Sequence, residues 1–271
     1  MTFADLALAR RLEAMEAFAS LDTSKSVARR HPEITAAAQA IAGGWAVFTG
    51  VGSPISEARG LGMGGPVSDA DMDSLEIFYH SRGDAVRIEV CPLADPSLHQ
   101  QLAQRGYRIL EFSNMLVRRI ESSQPSRFDG AAHPGVTTRA AAPDEGLVWA
   151  NLVAQCFAEH VPVTQELLDV MMCWTQSSIG SCFFGLVDGQ LAGGATLAMH
   201  DRVALLGGAG TDPPFRNRGL QQALIATRLE RAAQAGCDVA MTVTLPGSGS
   251  QRNCERHGFQ VAYSRAKFLL E

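Results

Sequence analysis

Apolar positions near the start of the chain, Phe3, Leu8, Leu12, Met15 and Phe18, recur at helical spacing and predict an opening amphipathic helix with one face in a core. From His31 to Val51 the pattern is mixed, predicting a helix over Glu33 to Ala42 and a short strand from Trp45 to Thr49. A glycine-rich run (Gly60, Gly62, Gly64, Gly65) stops at Pro66, and Ser68 then caps a helix with Asp69, Asp71 and Asp73 in its first turn. Three aspartates already occupy that helix dipole, so the run reads as a flexible turn or close-packed strand ahead of a phosphate loop. Further on, Val136 to Arg139 predicts a strand and Glu145 to Phe157 a helix. Cys182 to Val187 and Leu191 to Met199 form a hairpin signal around Asp188-Gly189. A glycine-rich strand candidate starting at Val203 runs into Pro213-Pro214, which cannot continue a ladder, and a long helix then closes at Gly236.

The two halves share a spacing. Gly83-Asp84-Ala85 precedes the strand Val86 to Val90 as Gly236-Cys237-Asp238 precedes Val239 to Thr244, and both strands run into proline, Pro92 and Pro246. QQLAQRGYRILEFSNMLVRR from Gln100 can be laid beside QRNCERHGFQVAYSRAKFLL from Gln251, with Gly106-Tyr107 matching Gly258-Phe259. Duplication of one domain would leave this order; chance alignment of two ordinary βαβ stretches is the competing reading. Glu121 to Gly135 is polar, holds two prolines and reads as a linker. The expected division is therefore 1–120, a linker over 121–135, and 136–271.

Composition narrows the class. With 271 residues, 46% apolar and 19% charged, the chain is that of a globular protein with a sizeable core. A net charge of −5 argues against a nucleic-acid surface or an anionic membrane as partner. Six scattered cysteines without a C-x-x-C pair signal neither a metal site nor a disulfide framework. No signal peptide or membrane-length stretch is evident, so the expected location is the cytoplasm.

Local charge near one helix start runs against the overall balance. Arg216-Asn217-Arg218-Gly219 leads into that helix, with Arg228 and Arg231 further along it, a distribution that suits a local polyanion. A bare helix start offers unpaired N–H groups and a positive dipole end, and a residue without Cβ lets a phosphate approach. Neither a P-loop nor a G-x-G-x-x-G turn is present. Arg216-Asn217-Arg218-Gly219-Leu220-Gln221 resembles the acyl-CoA-binding motif of the GNAT acyltransferase superfamily, Arg/Gln-x-x-Gly-x-Gly/Ala, with Gln221 departing at the last position. The element order of residues 136–271 is similar to that family's in full, and the later part of the first half more weakly. The resemblance implies an α+β fold with a mixed sheet: two GNAT-like domains, each a mostly antiparallel twisted sheet flanked by helices, the first without a CoA site.

It also implies acetyl-CoA as co-substrate, no metal, and transfer of the acyl group to a primary amine of a small molecule or peptide. Strand backbone at Ala209, Gly210 and Thr211 would hold the pantetheine arm, with Gly207, Gly208 and Gly210 keeping that edge open. Arg216, Asn217, Arg218, Gly219, Leu220, Gln221 and Gln222 would cradle the diphosphate, and Ser250 and Asn253 would contact the cofactor. Cys254 stands where the family often has a tyrosine acid; a buried packing role competes for it. Tyr263 is a substitute acid or a core aromatic, and Glu159 is a base candidate beside His160 and His200, each of which also reads as a surface residue. The apolar cluster Met171-Met172-Cys173-Trp174 could line an acceptor pocket, although such a cluster is ordinarily core. Two other readings stay open: a non-catalytic acyl-CoA sensor, and a site for another phosphorylated ligand or none.

Overall fold

The computed structural model describes residues 4–120, 133–157 and 163–271. Phe3 of the opening helix, residues 121–132 of the expected linker, and Glu159 with His160 lie outside these. The chain forms two compact units, one of Met1–Leu116, Val243–Ser248 and Val261–Glu271, the other of Val117–Thr242 and Gly249–Gln260.

In the first unit, α1 (Leu6–Arg30) starts at Asp5, whose carboxylate accepts from the Leu8 amide at 2.8 Å, and buries Ala9, Leu12 and Met15. β1 (Ala37–Ile41) and β2 (Gly44–Phe48) pair antiparallel, with Ala40 opposite Trp45. This corrects the helix expected over Glu33 to Ala42. Ala42 and Gly43 both take positive φ, 48° and 81°, the geometry of a two-residue hairpin turn, and strand pairing overrides the helical preference of the alanines. β3 (Ala58–Arg59) pairs antiparallel with β2 and parallel with β4 (Val86–Val90). Between β3 and β4 lies α2 (Asp69–His80), closed by a capping box in which the Ser68 hydroxyl accepts from the Asp71 amide while the Asp71 carboxylate accepts from the Ser68 amide. The glycine run before it is packed: the Gly62 amide donates to Ala42 and the Gly62 carbonyl accepts from Asp95, at 3.0 and 2.9 Å. α3 (Pro96–Gln104) and β5 (Arg108–Arg119) follow.

The second unit opens with β6 (Val136–Ala140) and α4 (Gly146–Cys156), followed by α5 (Gln165–Thr175), a helix the periodicity did not single out. β7 (Gly180–Val187), β8 (Gln190–His200) and β9 (Val203–Thr211) form the expected antiparallel meander, and α6 (Leu220–Gln234), β10 (Val239–Thr244) and α7 (Gly249–Arg256) follow. The strand order is β10-β9-β8-β7-β6, with β10 and β9 parallel. α4 packs on one face, where the Cβ position of Gly194 meets Trp149 and Val153; α6 covers the other, where that of Gly185 meets Leu220.

β11 (Gln260–Leu270) belongs from Val261 onward to the first unit, antiparallel to β4 with Ala266 opposite Val90 and Leu270 opposite Val86. Val243–Ser248 also belongs to the first unit, and the second unit starts at Val117. The order in the first unit is β1-β2-β3-β4-β11-β5. Each unit is a mostly antiparallel sheet with one parallel pair, flanked by helices, the α+β arrangement expected. Inside the first unit, Glu13 and Glu16 of α1 meet Arg265 and Lys267 of β11 together with Glu57, Arg59 and Glu89; the Lys267 Nζ lies 3.0 Å from Glu57 and 3.4 Å from Glu89.

Candidate functional site

β9 and β10 run together only briefly. Val203, Ala204 and Leu205 pair with Val239, Ala240 and Met241; beyond them the Thr242 hydroxyl donates to the Leu206 carbonyl at 2.8 Å, replacing a ladder bond. From Gly207 to Thr211 β9 keeps its antiparallel neighbour β8 but has no register partner in β10. That stretch is a free backbone edge of the kind an extended ligand can join as an added strand.

At the far end of β9 the chain turns at Pro213–Phe215 and passes through Asn217, at φ 61°, to Gly219, at φ 84°. The first intrahelical bond of α6 runs from the Ala223 amide to the Gly219 carbonyl, 3.0 Å, so the amides of Leu220, Gln221 and Gln222 have no helical acceptor, and Gly219 supplies no side-chain cap. Arg216 is exposed and its Nε donates to the Thr211 carbonyl at 3.3 Å; Arg218 pairs with Asp188 of the β7–β8 turn at 2.8 Å. Gln221 turns to the side, where the Asn253 amide of α7 donates to its Oε1. This places Gln221 and Asn253 together; Ser250 is exposed on the same helix.

Among the described residues the helix start has a covering group that sequence reasoning did not find. A Cβ on Gly219 would overlap the His133 ring, and the His133 Nε2 makes a 2.7 Å hydrogen bond with the Gln222 Oε1. The space that the missing Cβ opens is filled by an imidazole.

The glycines of β9, expected to keep its edge open or to serve a bulge or close contact, make close contacts on the two faces of the sheet. The Cβ position of Gly208 meets the Trp174 ring at 2.7 Å, that of Gly210 meets the Cys156 Cβ at 2.4 Å, and that of Gly207 meets the Thr196 Oγ1 at 3.2 Å. Their small size lets α4 and α5 press onto the strand, and Met171 and Cys173 are core. On the other face Arg228 is also corrected: it is 2% exposed, with its Nη1 donating to the carbonyls of Thr196 (3.0 Å) and Gly207 (3.2 Å) and its Nε to Leu224 (3.0 Å). Burial pushes its guanidinium down to about 10, opposed by the nearby Cys254.

Residues 148–259 match the model of the acetyltransferase (GNAT) family. The chain carries a GNAT acetyltransferase domain. No curated protein matches the chain. A GCN5-related N-acetyltransferase from Kribbella flavida is 18% identical with a TM-score of 0.66, covering 95% of this chain and 95% of that one. A tandem GNAT protein from the clavulanic acid biosynthesis pathway is 15% identical with a TM-score of 0.61, covering 100% of this chain and 97% of that one. A GCN5-related N-acetyltransferase from Sphaerobacter thermophilus is 18% identical with a TM-score of 0.55, covering 69% of this chain and 60% of that one. At these identities the likeness is one of fold, and it extends the GNAT fold, in tandem, over the whole chain.

Within the GNAT domain Cys254 is buried on α7; burial raises its thiol, opposed by Arg228. Tyr263 belongs to the first unit, not to the unit that holds Gly219, and its hydroxyl donates to the Glu13 Oε1 at 2.8 Å. Burial and the Glu13 charge raise the phenol further, which makes it less able to yield a proton. The second unit thus holds Arg216, Arg218, Gly219, Gln221 and Asn253, with Gln221 and Asn253 bonded to each other, and it also holds Cys254; Tyr263 belongs to the first unit. Among the described residues no group of acidic, histidine or cysteine side chains has the arrangement of a metal site.

Proposed function

We propose that the second unit is an acyl-CoA-dependent N-acyltransferase that moves an acetyl group to a primary amine of a small molecule or peptide by direct attack. The observation that carries this is the parting of β9 from β10 beside an uncapped helix start, inside a segment that matches the GNAT family. The β9 backbone from Ala209 to Thr211 would pair with the pantetheine arm, the amides of Leu220 to Gln222 would face the diphosphate, and Arg216 and Arg218 would flank it with Asn217, Asn253 and Ser250 at the rim. The amine nitrogen bonds to the acyl carbon as the carbon–sulfur bond breaks; sulfur leaves with that electron pair, and the proton lost by nitrogen ends on the thiol of free CoA.

The first unit is read as a copy without this site, because Ser68 and Asp71 already satisfy the helix start at the equivalent place. All six cysteines are free and buried, in keeping with a reducing compartment such as the cytoplasm. Among the described residues no helix is long and apolar enough to cross a membrane. One observation favours a second reading, a sensor that binds acyl-CoA without turnover: the hydroxyl of Tyr263 is committed to Glu13, and a buried thiol stands at Cys254. Calorimetric titration with acetyl-CoA, followed by free-thiol release over a panel of amines, tests both. Binding with release supports the enzyme, binding without release supports the sensor, and no binding overturns both.

A further inference from the structure

The turn that leads into β6 is tied down at both of its ends. The Val136 amide donates to the His133 carbonyl at 3.0 Å, and Pro134 and Gly135 fill the two central positions, with Gly135 at φ 76°, the geometry of a type II turn. At one end the His133 imidazole lies on Gly219 and shares a 2.7 Å hydrogen bond with the Gln222 side chain. At the other the Gly135 carbonyl accepts from the Asp188 amide, also at 2.7 Å.

Asp188 links this turn to the arginines before α6. With Gly189 it makes the two-residue connection between β7 and β8, at φ 50°, a left-handed conformation that aspartate tolerates. One carboxylate oxygen lies against Gly135, where a Cβ would overlap it, and the other accepts from the Arg218 Nη2 at 2.8 Å. The ion pair is well exposed, 44% at Arg218 and 60% at Asp188, so it is weak enough for another anion to replace. A diphosphate carries more charge than one carboxylate and takes two guanidinium donors at once.

We infer that the turn His133–Val136 is an autoinhibitory strap over the start of α6, latched by the Arg218–Asp188 pair, and that a diphosphate lifts it by drawing Arg218 away from Asp188. The inference rests on the proposed acyl-CoA site and deepens it. With Arg218 on the anion, the Asp188 carboxylate is left unpaired beside bound phosphates, and like charge turns it outward, off Gly135. The amide bond between Asp188 and Gly135 stays as the hinge. The strap loses the side chain that presses on it, and the His133 ring yields the space over Gly219. Strap and arginine thus form one two-state element, biased toward closure by Asp188 and toward opening by the ligand.

The test reads the strap directly, through nitrogen-15 signals of the histidine rings, with His133 assigned by its loss in His133→Ala. Gln222→Ala, in which the ring has lost its hydrogen bond, marks the open position. Asp188→Asn removes the charge and keeps the turn, because asparagine before glycine suits these positive φ values; Arg218→Gln removes the other half of the pair. Without any ligand, both variants are expected to move the His133 signal toward the open position, and CoA should move it likewise in wild type. Their effects on CoA should be opposite: Asp188→Asn tightens binding about threefold by freeing Arg218, and Arg218→Gln weakens it about tenfold by removing a charged donor. A His133 signal that stays in place in both variants overturns the latch. Weaker binding of CoA to Asp188→Asn also overturns it, because Asp188 would then hold Arg218 in place for the phosphates. CoA that binds without moving the wild-type signal overturns the lifting of the strap. If the signal moves in both variants and CoA binds none of the proteins, the acyl-CoA reading falls, and the trigger with it.

Discussion

On the proposed reading, His133 and an incoming diphosphate would compete for the space above Gly219. The imidazole sits where a Cβ would be, and its 2.7 Å hydrogen bond to Gln222 holds it across the start of α6. A partly buried hydrogen bond of this kind contributes about 1 kcal/mol net. If that contact alone sets the balance, the ring is displaced in roughly one molecule in six, and the apparent dissociation constant of CoA is raised by the same factor over that of the open form. His133→Ala is therefore expected to tighten CoA binding about sixfold. Isothermal titration of CoA into both proteins reads this directly. Pantetheine, which has no diphosphate, is the control and should bind both proteins alike. Weaker binding of CoA to the alanine variant would refute the reasoning, because it would make the imidazole a ligand of the phosphates and not their competitor.

Other perturbations address the same site and the first unit. Gly219→Asp puts a side chain on a left-handed backbone, at a cost of about 1–2 kcal/mol, and a charge against the phosphates. Its melting temperature should fall by a few degrees and no longer rise with CoA; an undiminished rise moves the site elsewhere. Tyr263→Phe leaves the Glu13 carboxylate without its donor, so stability should drop by about 1–3 kcal/mol while CoA affinity stays as it was. A loss of turnover without a loss of stability would instead make Tyr263 the proton donor. Burial pushes the Glu13 carboxyl up, opposed by Arg265. A carboxyl raised in the fold favours the protonated form, so its contribution is complete at acid pH and lost as pH rises through the folded value. Glu13→Gln mimics that protonated form permanently, and its melting temperature relative to wild type should climb as pH rises above the ordinary carboxylate range; a constant or shrinking difference would show that the ionised carboxylate is the stabilising form.

How much of this was legible depended on whether an element carried chemical punctuation. α2 was placed by Ser68, the β7–β8 hairpin by Asp188-Gly189, and the end of α6 by Gly236, each a residue that stops or starts one structure. β1 was misread because alanines favour a helix locally, and only its pairing with β2 outweighs that preference. α5 starts at Thr164, whose hydroxyl accepts from the Leu167 amide; that cap was present in the sequence. Arg228 left a readable trace as well. It lies on the stripe of Leu224, Ile225, Leu229 and Ala232, so helical spacing alone places it on the buried face of α6. His133 left none, since it meets Gln222 across 89 residues without any periodic signal. The fate of β11 was equally hidden, because a strand that ends the second repeat looks the same whichever sheet it joins.

On the proposed reading, the two units differ in function through the backbone at one helix start. In both, a parallel pair, β3 with β4 and β9 with β10, is connected through a helix, and in both an anion would meet that helix at its first turn. At α2 the residue before the helix is Ser68, with an extended φ of −89°, the conformation from which a hydroxyl can reach the third amide. The turn is closed and acidic, and an anion would find the donors used and two aspartates, Asp69 and Asp71, beside them. At α6 the same position is Gly219 at φ 84°, from which a serine side chain would be strained and misdirected, so a capping residue cannot simply be restored there. The bare start of α6 is thus a property of its chain path and not merely of a missing hydroxyl. Stability argues for capping such a turn, by about 1 kcal/mol. That the backbone of the second unit forbids it, and places two arginines alongside, is the physical reason to assign the ligand to this unit and not to its partner in the repeat.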